Sequence, residues 1–208
     1  MSDKEKIMLP EVMVFAGPNG SGKSTITRMA KTVGIYINAD DIKKSSLCTD
    51  MEAAIKAEEL REKALSDKID FTFETVLSTD RNLSLLKRAK ENGYFIRGIY
   101  VLTASSEINI ARVKVREASG GHGVPEDKVR SRYDKALALV PELVRICDIL
   151  HIYDNSEKPF RIFKKRKDVY YRWENTFWDA EAIKMLTGIS EYSEYSKKLN
   201  TAPSWCRN

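Results

Sequence analysis

Cysteine is scarce: three residues in 208, Cys48, Cys147 and Cys206, odd in number and far apart. That excludes a disulfide-stapled scaffold, and no pair has metal-ligand spacing, so reduced thiols in a cytoplasmic protein are expected. Long apolar runs are missing, so no segment is expected to span a bilayer and no membrane partner follows. Residues 1–10 lack the apolar stretch of a signal peptide. There is no internal repeat and no low-complexity linker, and the length suits one medium domain with an appendage. Charge of one sign is also lacking. Thirty-five Lys and Arg against 30 Asp and Glu leave +5, which suits an anionic substrate and is too mild to argue for nucleic acid.

Against this background one stretch stands out. Residues 12–25 read Val-Met-Val-Phe-Ala-Gly-Pro-Asn-Gly-Ser-Gly-Lys-Ser-Thr, and Gly17, Gly22, Lys23 and Ser24 satisfy G-x-x-x-x-G-K-[ST]. The apolar run before it reads as a buried strand and Thr25 onward as a helix, the context a phosphate-binding loop requires. Glycines let backbone N–H groups converge on a phosphate. Gly17, Pro18, Asn19, Gly20, Ser21, Gly22, Lys23, Ser24 and Thr25 are therefore the expected nucleotide-binding residues. Lys23 would reach the β- and γ-phosphates, and the Ser24 hydroxyl would ligate Mg²⁺.

Strand and helix patterns alternate through the first three quarters of the chain. Ile35–Ile37, Phe71–Leu77, Tyr94–Leu102 and Ile149–Tyr153 read as further strands. Thr49-x-x-Glu52 forms a capping box ahead of a helix with Met51, Ile55, Leu60 and Leu65 among its apolar positions. Asp80 can start another helix that Gly93 follows, a third runs from Ser106 to Ala118, and Pro125 opens a fourth that Pro141 bends. Such alternation predicts an α/β fold, a five-stranded parallel sheet with helices on both faces. Beyond about Phe160 the alternation stops. Lys164–Lys167 is basic, and Tyr170, Tyr171, Trp173, Phe177 and Trp178 follow. Basic residues beside aromatics can bind single strands of nucleic acid, but packing of a terminal helix on the core is the preferred reading, and nucleic acid is not expected as a partner.

The remaining polar residues narrow the chemistry. Asp40 follows the second strand, at the sheet edge where ligands bind in open α/β folds. It is placed to act as the base toward an acceptor hydroxyl; capping the next helix is its plainer role. Glu74 interrupts an apolar strand, where an unpaired carboxylate is costly, so it either holds substrate or pairs with a buried arginine. Arg112, Arg116, Arg130 and Arg132 flank the Ser119–Gly123 break, the composition of a lid that closes on phosphates. His122 sits in that break, able to touch a phosphate or merely exposed.

Taken together, the loop at 17–25, Asn38-Ala39-Asp40, Phe73-Glu74-Thr75, Gly120-Gly121-His122 with Val124-Pro125, Arg132-Tyr133 and Tyr153-Asp154-Asn155-Ser156 resemble the zeta-toxin-like family of P-loop kinases, and most closely its chromosomal branch. The resemblance covers about residues 10–156. It implies a P-loop kinase fold with ATP or GTP as phosphoryl donor and, in the toxins, the sugar 3′-hydroxyl of UDP-N-acetylglucosamine as acceptor. By the same resemblance Asp40 matches the proposed base, Glu74 the substrate-holding glutamate, and Arg116 and Arg132 the lid arginines. A toxin threonine that holds substrate corresponds to Val76, so Thr75 or Ser78 would substitute. The resemblance also allows an antitoxin-like protein partner over the cleft.

The organisation expected is a kinase core over 1–160, with an arginine-rich lid around 112–133, and a helical extension over 161–208 packed on it. The function expected is transfer of a γ-phosphoryl to a hydroxyl of a small anionic metabolite, with Lys23, Asp40, Arg116 and Arg132 catalytic and Glu74, Thr75, Ser78 and His122 binding substrate. A polynucleotide or nucleoside kinase and a non-catalytic nucleotide-binding regulator are the alternatives. A transporter-type ATPase is excluded, because Ser119-Gly120-Gly121-His122 only echoes its signature and Ile152-Tyr153-Asp154-Asn155 lacks its terminal Asp-Glu.

Overall fold

β-Branched and aromatic runs form the strands β1 (Glu11–Ala16), β2 (Ile35–Ile37), β3 (Phe71–Thr75), β4 (Phe95–Leu102) and β5 (Ile149–Asp154). The computed structural model describes residues 9–46 and 48–193; Cys206 and the last part of the expected extension lie outside them. Between the strands run α1 (Lys23–Met29), α2 (Ala39–Ser46), α3 (Asp50–Ser66), α4 (Arg81–Glu91), α5 (Ser106–Ala118), α6 (Glu126–Ala138) and α7 (Val140–Ile146). Because helical crossovers return the chain in the same direction, the five strands pair in parallel, in the order β2-β3-β1-β4-β5. Among the described residues no helix is long and apolar enough to cross a membrane.

Local signals work as read. Thr49 and Glu52 close a reciprocal capping box at the start of α3, the Glu52 carboxylate accepting from Thr49 N at 2.8 Å. Gly34 turns the chain into β2 at φ +54°, and a Cβ there would stand 1.7 Å from the Asp70 carbonyl. Pro141 lies in the first turn of α7 and separates it from α6. The inner face of α3 differs from expectation. Met51, Ile55 and Leu60 are exposed, and Ala53, Ala57, Ala64 and Leu65 are buried, the last three in the main core. Small side chains bring this helix close to the strands, so its bulkier apolar residues are left outside.

The C-terminal part departs more clearly. It is not purely helical: β6 (Phe160–Arg166) and β7 (Val169–Arg172) add antiparallel to β5, making seven strands, before α8 (Ala180–Thr187) packs on α7. The basic run concealed a strand. Lys165 within it is buried and donates its ammonium to the Val144 carbonyl at 2.7 Å and that of Arg145 at 3.3 Å, at the end of α7. Most of the aromatics pack: Tyr170 stacks on Phe163 and Trp178 joins the main core, while Phe177 is exposed.

The two sheet faces divide the labour. Val12, Val14, Ala16, Phe71, Phe73, Tyr100, Leu150 and Ile152 lie in one large core with α3, α4, α7 and α8. The other face carries Met13, Phe15, Ile99, Val101 and Tyr153 under Ile26 of α1. Parallel register places Thr72 opposite Met13 and Glu74 opposite Phe15, so both belong to the α1 face. Thr72 Oγ1 donates to Val33 O at 2.7 Å and accepts from Val33 N at 2.9 Å, pinning the turn before β2 to β3. Thr72→Val keeps the shape and leaves both Val33 groups without their partner. It should cost about 1–3 kcal/mol in urea unfolding; wild-type stability would show that Thr72 does not anchor β2.

Candidate active site

The loop between β1 and α1 is shaped by contacts that leave no room for side chains. Gly17, at φ +141°, would place a Cβ 2.0 Å from the Val101 carbonyl; Gly22, at φ +94°, would place one 2.3 Å from the Asn155 amide nitrogen. Ser21 N donates to Pro18 O at 3.2 Å, Asn155 Nδ2 donates to Ser21 O at 2.8 Å, and Gly17 N donates to Thr75 O at 3.2 Å. Strands β3 and β5 thus hold the loop from both sides. The Lys23 ammonium folds over the loop onto Pro18 O at 3.0 Å. Burial pushes its pKa down to about 8; the charge of Glu74 opposes this, that of Arg116 adds to it, and that of Asp40 opposes it again.

Beside the loop a chain of hydrogen bonds crosses four elements. Ser24 Oγ donates to Glu74 Oε2 at 3.1 Å, and Tyr36 O–H donates to Glu74 Oε1 at 2.7 Å. Asn38 Nδ2 donates to the Tyr36 oxygen at 2.9 Å, and Asn38 Oδ1 accepts from Asp40 N at 2.9 Å. Asn38, rather than Asp40, therefore caps α2. The Asp40 carboxylate is left to the cleft.

That cleft measures about 400 Å³. Asn19 of the loop, Ala39, Asp40, Asp50 and Ala53 of α2 and α3, the His122–Pro125 segment, and Lys128 and Arg132 of α6 line it. Its walls are unlike in charge, carboxylates on the α2–α3 side and cations on the α6 side. The four arginines around the glycine-rich break divide into two pairs. Arg112 donates to Ser156 O at 2.9 Å, and Arg130 pairs with Glu107, so both brace the scaffold. Arg132 reaches to 3.5 Å from Asn19 Oδ1, and Arg116 donates to His122 O at 3.0 Å while its charge is felt at Lys23. His122 Nε2 stands 3.9 Å from Asp50 across the cleft mouth.

The structure brings together Lys23, Ser24, Asp40, Glu74, His122, Arg116 and Arg132. Thr75 stands apart: its hydroxyl accepts from Leu77 N at 3.0 Å and Asn82 Nδ2 at 2.8 Å, and its register with Ala16 puts it on the opposite face from Glu74. Ser78 lies half-buried between β3 and α4. Sequence reasoning missed Tyr36, whose only signal was an aromatic in an edge strand, and it missed Lys128 and Asp50, which carry no motif. His151 lies mostly buried on β5, stacked on Tyr153 at 6.2 Å, and burial followed by the charges of Arg161, Lys164 and Arg97 pushes its pKa down to about 3.

Comparison with known proteins agrees with this architecture. A family model described as Zeta toxin matches residues 2–168. An uncharacterized protein of Haemophilus influenzae is 36% identical over 133 residues, 61% of this chain and 95% of its own. Among solved structures, one from the PezAT chromosomal toxin–antitoxin system of Streptococcus pneumoniae superposes with a TM-score of 0.57 at 20% identity, over 95% of this chain and 84% of that one. The AvrRxo1-ORF1:-ORF2 structure with ATP gives 0.62 at 14% identity, over 92% and 68%. At such identities the structural likeness speaks for the fold alone.

The position of Lys23 has a measurable consequence. Below pH 8 the free protein already carries the ammonium that a phosphate needs; above it the proton is lost and a bound phosphate must restore it. ATP binding near pH 9 should take up close to one proton, with affinity falling by up to about tenfold per pH unit above the Lys23 pKa. Calorimetry in two buffers of different ionisation enthalpy reads this directly, and proton-neutral binding there would contradict it.

Proposed function

The chain belongs to the zeta toxin family, and from that membership we propose that it is a kinase moving the γ-phosphoryl of ATP or GTP to a hydroxyl of a small anionic metabolite. The family match supports a P-loop kinase-like function. The single observation behind the finer reading is the convergence of Asn19 of the glycine-rich loop, Asp40 and Arg132 on one cleft.

Each part then has a task. The backbone of Gly17–Gly22 cradles the phosphates, Lys23 neutralises the β- and γ-oxygens, and Arg116 and Arg132 close over the group in transfer. The acceptor oxygen attacks the γ-phosphorus as the bond to the β–γ bridging oxygen breaks, and the acceptor's proton passes to Asp40. ADP or GDP leaves with the bridging oxygen. The side chains beside the loop suit Mg²⁺, which favours hard oxygen donors and retains water: Ser24 Oγ already stands against a carboxylate. Ser24 would hold the ion, which neutralises developing phosphate charge when bound.

UDP-N-acetylglucosamine is the acceptor that the zeta-toxin resemblance suggests, and an antitoxin-like protein partner is proposed on the same footing. Val76 stands at the position of a toxin substrate contact, and Thr75, turned to the other face, does not replace it. The same cleft would then take a related sugar nucleotide or another anionic hydroxyl compound.

A transfer assay by mass spectrometry, with Mg-ATP and UDP-N-acetylglucosamine followed by a panel of hydroxylated anionic metabolites, tests the proposal. Wild type should yield one phosphorylated product. Asp40→Asn should retain ATP affinity and lose transfer by about two to four orders of magnitude. Equal turnover would remove Asp40 from the chemistry, and ATP binding without any product would leave a nucleotide-binding regulator.

A further inference from the structure

The zeta-toxin resemblance gives Glu74 to the acceptor, yet both of its oxygens are engaged elsewhere. Oε2 accepts from Ser24 Oγ at 3.1 Å and Oε1 accepts from Tyr36 O–H at 2.7 Å. The geometry points to Tyr36 as a positioning residue that holds Glu74 Oε1 and thereby aims Oε2 at Ser24, the side chain that would ligate the divalent cation. The inference rests on the kinase reading and refines it, since it ties Glu74 to the cation side of the site.

Three features support it. First, the bonds run in one direction: Asn38 Nδ2 occupies the Tyr36 oxygen as acceptor at 2.9 Å, so the phenolic proton is directed to Glu74. Second, register puts Tyr36 opposite Thr72 and Glu74 opposite Phe15, all on the face that carries α1. A phenol is long enough to cross from the edge strand to the carboxylate, and a serine or threonine at the same place is not. Third, Tyr36 keeps its proton. Burial raises its pKa, the Asn38 hydrogen bond works against this, and the hydrogen bond to Glu74 and that carboxylate's charge raise it further.

A carboxylate with one oxygen tied to a phenol is held in one orientation, with its other oxygen toward Ser24. A Ser24 oxygen that turned a lone pair to a cation would keep its proton on Oε2, and the remaining lone pair of Oε2 would suit a water on that cation, the outer-sphere arrangement that Mg²⁺ favours. Without the phenol, the carboxylate rotates freely and its second oxygen competes. Through Asn38, the same phenol is joined to the residue that caps α2 ahead of Asp40. The cation side and the acceptor side of the site therefore share one anchor.

The test is the Mg²⁺ dependence of binding of a fluorescent ATP analogue, which needs no acceptor, in wild type, Tyr36→Phe, Glu74→Gln and the double variant. Tyr36→Phe should raise the Mg²⁺ concentration for half-maximal binding about tenfold, the change typical of losing one hydrogen bond to a charged group. Binding without Mg²⁺ should stay at the wild-type value, and any fall in melting temperature should be too small to account for the shift. The double variant should be no worse than Glu74→Gln, because the phenol acts through that carboxylate. An unchanged Mg²⁺ dependence, additive effects in the double variant, or a fall in melting temperature that accounts for the binding loss would each overturn the inference. The kinase reading fails separately: a wild type that binds Mg-ATP and phosphorylates no acceptor refutes transfer while the role of Tyr36 is still read from binding.

Discussion

The parallel pairing of β3 between β2 and β1 is the constraint on which the site depends. Because side chains alternate across a strand, Phe15 opposite Glu74 and Tyr36 opposite Thr72 put a carboxylate and a phenol on the one face that α1 covers. A slip of one residue would send Glu74 into the apolar core on the other face and bring Phe73 out beside Ser24. The register is guarded twice. Phe71 and Phe73 are fully buried on the far side, and Thr72 ties down the Val33 backbone on the near one. Chemistry and packing thus use alternate residues of the same five-residue strand.

Electrostatics complete what register begins. A half-buried ammonium at Lys23 would be expelled from a wholly apolar setting; here the charges of Glu74 and Asp40 oppose its desolvation and that of Arg116 adds to it. Such a balance leaves the lysine responsive to an incoming anion, since a phosphate adds the negative charge that the protein only partly supplies. Residues 112–132 supply cations of two kinds. Arg112 and Arg130 spend their charge on Ser156 O and Glu107, fixing α5 and α6, and this rigidity is what allows Arg132 to stand over Asn19.

How much of this was legible in the chain follows from the range of each signal. The loop, the capping box and the five parallel strands are local patterns, and local patterns survive in one dimension. Asp40 was legible because a strand end is a position in sequence, although its rival role as helix cap falls to Asn38. The two antiparallel strands were hidden because Lys164–Lys167 reads as a solvated charge run. Only the third dimension shows Lys165 reaching the carbonyls at the end of α7. The exposure of Met51 and Ile55 was hidden for the converse reason, since hydrophobicity alone cannot tell that alanines set the distance between α3 and the sheet. Thr75 was named for its hydroxyl, and strand parity sends that hydroxyl to Leu77 and Asn82.

An edge strand of three residues is a weak place from which to hold the Glu74 carboxylate. Ile35 is half exposed, and only Ile37 of the strand is buried. Local opening is cheapest at such edges. Yet the Tyr36 phenol is not held by its strand alone. It is received by Asn38, whose other side-chain atom caps α2, and it donates to Glu74 from the central part of the sheet. Fraying of β2 must therefore break a hydrogen bond to a charged group, which makes the opening costlier than its length suggests.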